Sequence, residues 1–421
     1  MKKTLLVSTA IVATGLFASG AFAQEKPMGP LTVGGYFNTL TAVNNANRDQ
    51  ASATNAAASG AVNKRNKAIF TEGEVHFKGN TKLDNGLEIG FRAELELKSD
   101  TDQIDEIWID FRGGFGRVIL GQNDPVTREM ARIAPNGSRT NILVGINGWG
   151  YTGMARAIAT NAAAGEPYYG DTNGVFDKSD SEKIMYFSPV FSGLQLGRSY
   201  QPDGSENRFS SAGSVTHGQA TNTQLFLASN GAGTFGDVFD IAVTYVNTFS
   251  GGFGVNAMLG LQSADPEASL LVGQTTLDAD GRQTGFNGGL ILSFAGFDFG
   301  GTFTYVPQKS TGARLGAAVA NAKTKFTDVT FDLGVAYTTG PWKAAITYLH
   351  ADMESMAQTV TTGSSLKVDK FLLSGSYLIG PGLEVSAGLA HEKIKYDATA
   401  ANVAQNADKG TTLFVGTSFQ F

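Results

Sequence analysis

Cysteine is absent from this 421-residue chain, and histidine, proline and charged residues are scarce. Without cysteine there are no disulfides, no thiolate nucleophile and no thiolate metal site. The histidines are isolated, and none has a second ligand at metal-binding spacing; they are His76, His217, His350 and His391. The sequence therefore predicts neither a bound metal nor another cofactor.

Signs of an enzyme are missing as well. No serine or aspartate stands beside a histidine in an arrangement suited to nucleophilic catalysis. The run Asp278-Ala279-Asp280-Gly281 matches half of a calcium-binding loop, but the later ligands and the closing glutamate are absent. We interpret this run as a turn, and we predict that the protein is not an enzyme.

An export signal is predicted at the N-terminus. Lys2 and Lys3 precede an apolar run from Leu5 to Phe17, and the small-residue sequence Ala21-Phe22-Ala23 follows. This is the pattern of a secretory signal peptide, and the run is too short for a membrane-spanning helix. Cleavage after Ala23 would leave residues 24–421 as one domain. Loss of the two lysines lowers the formal net charge from −6 to −8, which argues against a nucleic-acid partner.

A two-residue period dominates the rest of the chain. From Leu87 to Lys98, apolar residues at odd positions alternate with charged residues and one glycine at even positions. Since successive side chains of a strand point to opposite faces, one face is apolar and the other carries charges of both signs. A barrel with lipid outside and water inside fits this pattern better than a water-soluble β-sandwich does.

The same alternation recurs along the chain, and short turns alternate with long polar connections. Seven tight turns and eight loops predict an all-β fold, a sixteen-stranded antiparallel transmembrane β-barrel, and the even count fits bacterial single-chain barrels. The tight turns lie at 83–86, 113–116, 189–193, 250–252, 295–296, 339–341 and 380–382. The loops lie at 43–66, 99–102, 123–180, 202–236, 263–283, 307–325, 351–365 and 392–409.

The last residues alternate to the very end of the chain, from Leu413 to Phe421. With the alternating segment from Leu31 to Phe37, they allow the first and last strands to pair, which removes both edges of the sheet. A final phenylalanine resembles the terminal signal that the assembly machinery of outer-membrane barrels reads. Phe421 is therefore predicted to be an assembly signal.

Two strings carry a family resemblance. Gly113 to Gln122 is similar to the strand before a constriction loop, and Glu182 to Tyr200 is similar to the hairpin after it. With the signal peptide, the strand count and Phe421, they resemble the Gram-negative trimeric porin family, in particular its alphaproteobacterial branch, over essentially the whole mature chain. The resemblance implies a homotrimeric general diffusion porin of the outer membrane that passes small hydrophilic solutes and ions. It also implies contact with outer-membrane lipid and lipopolysaccharide, and insertion by the barrel assembly machinery.

In that family the loop after the fifth strand folds inward and narrows the pore, which implies a constriction loop at 123–180. Within it Asp124 can cap a short helix, Pro125 suits the first helical position, and Val126, Met130 and Ile133 share one face. Charges facing each other across a narrow aqueous pore make a transverse field. The implied charges are Asp124, Arg128, Glu129, Arg132 and Arg139 on the loop and Glu74, Lys78, Arg92, Glu94, Lys98, Asp110 and Arg112 on the lumen wall.

Several alternatives stay open. Residues 123–180 could form a solvated outer loop. Aromatic residues of this loop could stack on sugar rings or simply pack to hold the loop, so a substrate-specific channel for saccharides or phosphate is the alternative function; they are Trp149, Tyr151, Tyr168 and Tyr169. Arg198 shares a face with apolar residues, which places it near the membrane edge or at a subunit contact. The wall mixes signs and the loop start is rich in arginine, unlike in typical relatives, so the direction of ion selectivity stays open.

Overall fold

A computed structural model describes the sixteen strands of a barrel and one segment inside it. The described residues are 29, 31–45, 66–97, 104–140, 181–203, 235–266, 282–309, 325–353, 365–397 and 407–421. Within these ranges, no helix is long and apolar enough to cross a membrane.

Sixteen strands form a single closed sheet. Each strand pairs antiparallel with its neighbours in the sequence, and the first pairs with the last. This confirms the predicted sixteen-stranded antiparallel barrel. The strands are β1 (Thr32–Asn44), β2 (Lys67–Lys82), β3 (Glu88–Glu96), β4 (Ile104–Gly113), β5 (Gly116–Gln122), β6 (Glu182–Phe187), β7 (Leu194–Asp203), β8 (Phe235–Thr248), β9 (Gly254–Pro266), β10 (Gln283–Phe294), β11 (Phe297–Lys309), β12 (Lys325–Thr339), β13 (Trp342–Met353), β14 (Ser365–Gly380), β15 (Leu383–Asp397) and β16 (Ala407–Gln420).

The barrel closes through the two ends of the chain. Phe37 lies opposite Phe419 in the register of β1 and β16. Beyond the last registered pair, the backbone N–H of Gly35 donates to the carbonyl of Phe421 (3.0 Å), and the N–H of Phe421 donates to the carbonyl of Gly35 (3.1 Å). The terminal residue therefore takes part in closure, and neither end strand leaves an open edge.

The two faces of the sheet are inverted relative to a water-soluble protein. On the outside Leu333 and Ile346 are 56% and 61% exposed, whereas on the inside Asp332 and Thr347 are only 3% and 2% exposed. Exposed apolar residues in continuous rows require lipid rather than water around the barrel. The alternation read from the sequence is thus the alternation of lipid-facing and lumen-facing side chains.

Outward aromatic rings form two bands, as expected at the two interfaces of a membrane. One band lies near the tight turns and includes the ring pairs Phe297–Tyr337, Trp342–Tyr377 and Phe419–Phe421. The other lies toward the long connections and includes Tyr200–Phe239, Phe286–Tyr305 and Tyr348–Phe371.

Tight turns join the strands at one end, and the turn between β10 and β11 has only two residues. Ala295 and Gly296 have φ angles of 50° and 84°. Positive φ at both central positions is typical of the type I′ turn, whose twist matches that of the flanking strands. Alanine tolerates this region less readily than glycine, so this turn holds Ala295 in a backbone conformation that L-residues rarely adopt.

Candidate functional site: the barrel interior

After β5 the chain enters the barrel. Residues 123–140 contain a short helix, α1 (Val126–Glu129), which packs on the inner faces of β7, β8 and β9. Val126 and Met130 are buried, whereas Ile133, which was expected on the same face, is 37% exposed because it lies beyond the helix. The buried pair joins an apolar cluster with inward-facing wall residues: Trp108, Ile119, Met185, Phe187, Ala242 and Met258. Burial of this apolar surface favours docking of the segment on the wall.

The start of α1 differs from the expectation. Pro125, not Asp124, occupies the N-cap position, and no side chain caps the helix there. Asp124 instead pairs with Arg128 one turn later (Oδ2 to Nε, 3.2 Å). Its backbone N–H donates to the Glu106 carboxylate on β4 (3.2 Å). Asp124 is thus engaged by Glu106 and Arg128 and does not form the predicted side-chain cap.

Buried polar residues hold the first part of this segment to the wall. Thr127 Oγ1 donates to Asp240 Oδ1 on β8 (2.9 Å). The amide of Asn287 on β10 donates to the carbonyl of Thr127 (2.9 Å). The Lys183 ammonium on β6 donates to the carbonyl of Asn123. Since all these wall residues are buried, their bonds to the segment are shielded from water and strengthened accordingly.

The second part of the segment crosses to the opposite strands. Thr347 on β13 donates to the carbonyl of Pro135 (2.8 Å), and the N–H of Gly137 donates to Ser374 Oγ on β14 (3.0 Å). A side chain at Gly334 on β12 would collide with the backbone of Pro135. The inner wall therefore accommodates the segment by its shape as well as by its polar groups.

Glu384 on β15 receives the end of the described segment. Its fully buried carboxylate accepts from Ser138 Oγ (2.6 Å) and from the backbone N–H of Arg139 (3.0 Å). Lys343 Nζ on β13 donates to the carbonyl of Ser138 (2.8 Å). The segment is therefore attached to the wall at both ends, from β6 to β15.

The structure places Arg139 away from the other loop charges. Its guanidinium donates to the backbone carbonyls of Gly340 (2.8 Å), Pro341 (2.9 Å) and Trp342 (3.1 Å), at the turn between β12 and β13. This arginine attaches the segment to a tight turn, whereas the family resemblance implied a place among the constriction charges. Three backbone carbonyls from one turn converge on it, which no spacing in the sequence indicates.

The remaining loop charges lie near one another. Arg128 pairs with Asp124, and Glu129 on α1 is exposed. Arg132 donates to the carbonyls of Met130 (2.7 Å) and Ala131 (3.0 Å). Burial lowers the pKa of its guanidinium below the ordinary value, although an arginine remains charged at neutral pH.

The wall of β2, β3 and β4 carries an acidic tier. Glu74 lies opposite Glu96, and His76 lies opposite Glu94, all pointing inward. A register shift between β3 and β4 turns both Asp105 and Glu106 inward. We call these six carboxylates the acidic tier: Glu72, Glu74, Glu94, Glu96, Asp105 and Glu106.

A basic tier follows toward the tight turns. Lys78 lies opposite Arg92, and Arg112 lies opposite Arg117. The carboxylate of buried Asp110 pairs with Arg112 and with Arg117, whose Nε lies 2.8 Å from Oδ2. Apart from Asp110, the predicted wall residues of β2 to β4 therefore separate into an acidic level toward the long connections and a basic level toward the tight turns. Lys98, the remaining one, lies outside the described residues.

A network of contacts orders the acidic tier, and it could hold a cation. His76 Nε2 lies 2.8 Å from Glu74 and 3.4 Å from Glu94, and Tyr36 donates to Glu74 (2.7 Å). The ligand atoms of Glu74, His76 and Glu94 lie within 4.8 Å of one another, as do those of Glu74, Glu96 and Asp105. Arg92 pairs with Glu94 and approaches His76 Nδ1 (3.3 Å). A protein cation thus already neutralises part of this charge.

A sequence profile of Gram-negative porins matches residues 8–415. The chain belongs to the Gram-negative porin family. This porin is an outer-membrane diffusion channel, and its fold and family indicate a channel rather than an enzyme. No curated protein matches its sequence.

Solved porins share the fold at low sequence identity. The anion-selective porin from Comamonas acidovorans is 16% identical with a TM-score of 0.56, and the alignment covers 93% of this chain and 99% of that one. OmpF of Salmonella typhi in complex with daunomycin is 14% identical with a TM-score of 0.55, covering 93% and 97%. The trimer form of OmpT from Vibrio cholerae is 12% identical with a TM-score of 0.52, covering 93% and 100%.

The residues that hold the loop segment of this porin were not predicted from its sequence. Glu384, Asp240, Lys343 and Asn287 contact it but were not singled out. One signal was available: each occupies an inward position of a strand, and Glu384 and Asp240 place carboxylates there. Lys343 and Asn287 bind backbone carbonyls of the segment, and such partners leave no trace in a sequence.

Proposed function

We propose that this porin is a general diffusion channel whose narrowest section lies between the loop segment 123–140 and the acidic tier. One observation supports it most directly: the segment starts beside Glu106 on β4 and is attached along the inner wall as far as β15, and the other carboxylates of the acidic tier face the lumen from β2, β3 and the start of β4. Solutes that pass through the lumen then pass between these two surfaces. The interpretation as a solvated outer loop does not account for buried contacts such as Thr127 with Asp240.

The charges of this section favour cations. Six carboxylates of the acidic tier outnumber the cations beside them, and Asp124 already neutralises Arg128 on the loop. Fixed charges along a narrow aqueous passage with low-dielectric walls focus their field on a permeating ion. We therefore infer a weak preference for cations over anions. The deeper basic tier keeps that preference modest.

A planar-bilayer experiment tests both parts of this proposal. In a potassium chloride gradient, the reversal potential should have the sign of a weakly cation-selective pore. Adding maltooligosaccharides or phosphate should leave the single-channel current unblocked, because a general channel binds no solute. Block by one of these solutes would favour the substrate-specific channel, and anion preference would contradict the placement of the acidic tier. The loop aromatics on which a saccharide site would depend lie outside the described residues.

We infer that three copies assemble into a homotrimer. A structure with the same fold is described as a trimer form. Outward apolar residues of the first and last strands, such as Val33 and Leu413, are 56% exposed and offer contact surface. Chemical cross-linking in mild detergent should give trimers that dissociate on heating.

We further propose export by a signal peptide cleaved after Ala23, and insertion by the barrel assembly machinery through the terminal strand. The signal residues lie outside the described part of the chain. N-terminal sequencing of protein from outer membranes should begin at Gln24. A chain that keeps Met1 in the membrane would contradict this cleavage.

A further inference from the structure

A cavity lies between the loop segment and the inner wall, beside the tight turns that precede β11 and β13. Residues 133–136 and 138–140 of the segment line one side, and Ile291, Asp298 and Lys343 line the other. Its volume is about 190 Å³, and one water needs roughly 10–15 Å³ of such space. The cavity therefore has room for a small organic molecule.

Two opposite charges of the wall face this cavity at a distance from each other. Asp298 lies opposite Ala336 on β12, and Lys343 lies opposite Thr338 on the same strand. The width of β12 therefore separates the two charged residues. Among the residues that the structure describes, no basic side chain pairs with Asp298 and no acidic side chain pairs with Lys343.

Two other charges beside the cavity have partners of their own. Glu384 accepts from Ser138 Oγ and from the backbone N–H of Arg139. The guanidinium of Arg139 donates to three carbonyls of the turn between β12 and β13. Lys343 and Asp298 are therefore the charges with which a ligand in the cavity would interact.

Both charged groups keep unused hydrogen-bonding capacity. Lys343 Nζ donates to the carbonyl of Ser138 (2.8 Å), and an ammonium has three N–H donors. Asp298 Oδ1 accepts from Ser293 Oγ (2.5 Å), and a carboxylate has two oxygens that each accept more than one bond. Each group can therefore bind a ligand without giving up its partner in the protein.

Apolar surface accompanies these charges. Ile133 lies beyond α1, and it is 37% exposed although it points into the barrel interior. Ile291 on β10 adds a second apolar side chain on the wall. Covering apolar surface that water would otherwise contact is favourable. A ligand with an apolar part therefore fits this cavity better than a purely polar one.

We propose that this cavity binds a small zwitterion with an apolar side chain, namely an α-amino acid such as leucine. Its carboxylate accepts from Lys343, its ammonium donates to Asp298, and its side chain covers Ile133 and Ile291. A zwitterion complements both wall charges at once. A simple anion would be repelled by Asp298, and a simple cation would be repelled by Lys343.

The site is separate from the passage for solutes. It lies between the segment and the wall of β10 to β13, whereas the proposed passage lies between the segment and the acidic tier. A bound amino acid therefore adds contacts between the segment and the wall, and it does not block the current.

Equilibrium dialysis of the purified protein in detergent at neutral pH tests the site with three ligands that share one apolar side chain. Leucine carries both charges, 4-methylpentanoate lacks the ammonium, and 3-methylbutylamine lacks the carboxylate. For wild-type protein, leucine should bind at least about tenfold more tightly than either of the others, because each of them lacks one hydrogen-bonded contact between opposite charges.

Two variants that each remove one charge should change the preferences in opposite ways. Asp298→Asn should abolish the preference for leucine over 4-methylpentanoate and keep the preference over 3-methylbutylamine. Lys343→Gln keeps a donor for Ser138, and it should show the reverse pattern. Asp352→Asn, on the outer face of β13, is the matched control and should bind all three ligands as the wild type does. If Lys343→Gln does not fold as judged by heat-modifiable migration, Asp298→Asn alone decides.

Three results would overturn the proposal: equal affinity of the wild type for the three ligands, unchanged preferences in Asp298→Asn, or equal weakening of all three ligands in both variants. The last would mean that these residues only hold the segment. Leucine should leave the single-channel conductance of the wild type unchanged, and block would place its binding in the passage instead. A wrong ion selectivity of the pore would leave these preferences intact, so the site and the pore proposal can fail separately.

Discussion

Removing Glu384 should release the end of the loop segment. This buried carboxylate accepts from Ser138 Oγ (2.6 Å) and from the N–H of Arg139 (3.0 Å), and it also accepts from Ser386 Oγ on its own strand (3.0 Å). Hydrogen bonds to a charged group contribute about 1.5–3 kcal/mol each. Loss of the two bonds from the segment therefore weakens its attachment by on the order of 3–6 kcal/mol.

Arg139 and Lys343 continue to hold the released end, so the expected effect is increased mobility rather than complete detachment. In planar bilayers, Glu384→Ala should give noisier single-channel current and higher mean conductance than the wild type. Glu384→Gln keeps one acceptor oxygen but loses the charge, so it should lie between the two. Ser386→Ala removes only the bond within β15 and is the matched control. Equal current noise and conductance in folded Glu384→Ala and Ser386→Ala protein would contradict this role of Glu384.

Four further predictions concern the pore and the closure of the barrel. Deleting residues 124–139 should raise conductance and admit larger sugars, as liposome swelling would show; unchanged exclusion would place the segment outside the pore. Arg128→Glu with Arg132→Glu should shift the reversal potential toward stronger cation preference, whereas no shift would mean that these arginines are remote from the permeating ions. Glu72→Gln with Glu74→Gln should shift it in the opposite direction, and Lys82→Gln beside the tight turns is the control for a general change in charge. Deleting Phe421, or replacing it with Asp, removes contacts with Gly35 and should lower the amount of assembled barrel in outer membranes; normal levels by heat-modifiable migration would argue against this role.

Much of the fold could be predicted because every strand of a membrane barrel alternates between apolar and polar residues. Each strand has one face against lipid, so the alternation from Leu87 to Lys98 states directly which residues point outward. The tight turns were equally clear. For example, only Ala295 and Gly296 separate the alternating segments that form β10 and β11. The pairing of β1 with β16 followed from the alternation at both ends of the chain.

The interior was harder to predict, because its contacts join residues far apart in the sequence. Ser138 and Glu384 are 246 positions apart, and Thr127 and Asp240 are 113 positions apart. The prediction of Asp124 as the N-cap was wrong, because its backbone N–H donates to Glu106 and its carboxylate pairs with Arg128. Arg139 is the same residue type as Arg132 and belongs to the same segment, yet three carbonyls of a distant turn determine its position.

The absence of cysteine allows one direct test of the passage between the loop segment and the acidic tier. A single cysteine at Glu129, which is exposed on α1, can be modified with a bulky, positively charged methanethiosulfonate reagent during single-channel recording. Ile241→Cys, on the lipid-facing side of β8 and 45% exposed, is the matched control. The account predicts a stepwise loss of current in Glu129→Cys and no change in Ile241→Cys. Complete modification of Glu129→Cys, verified by mass spectrometry, with no loss of current would contradict it.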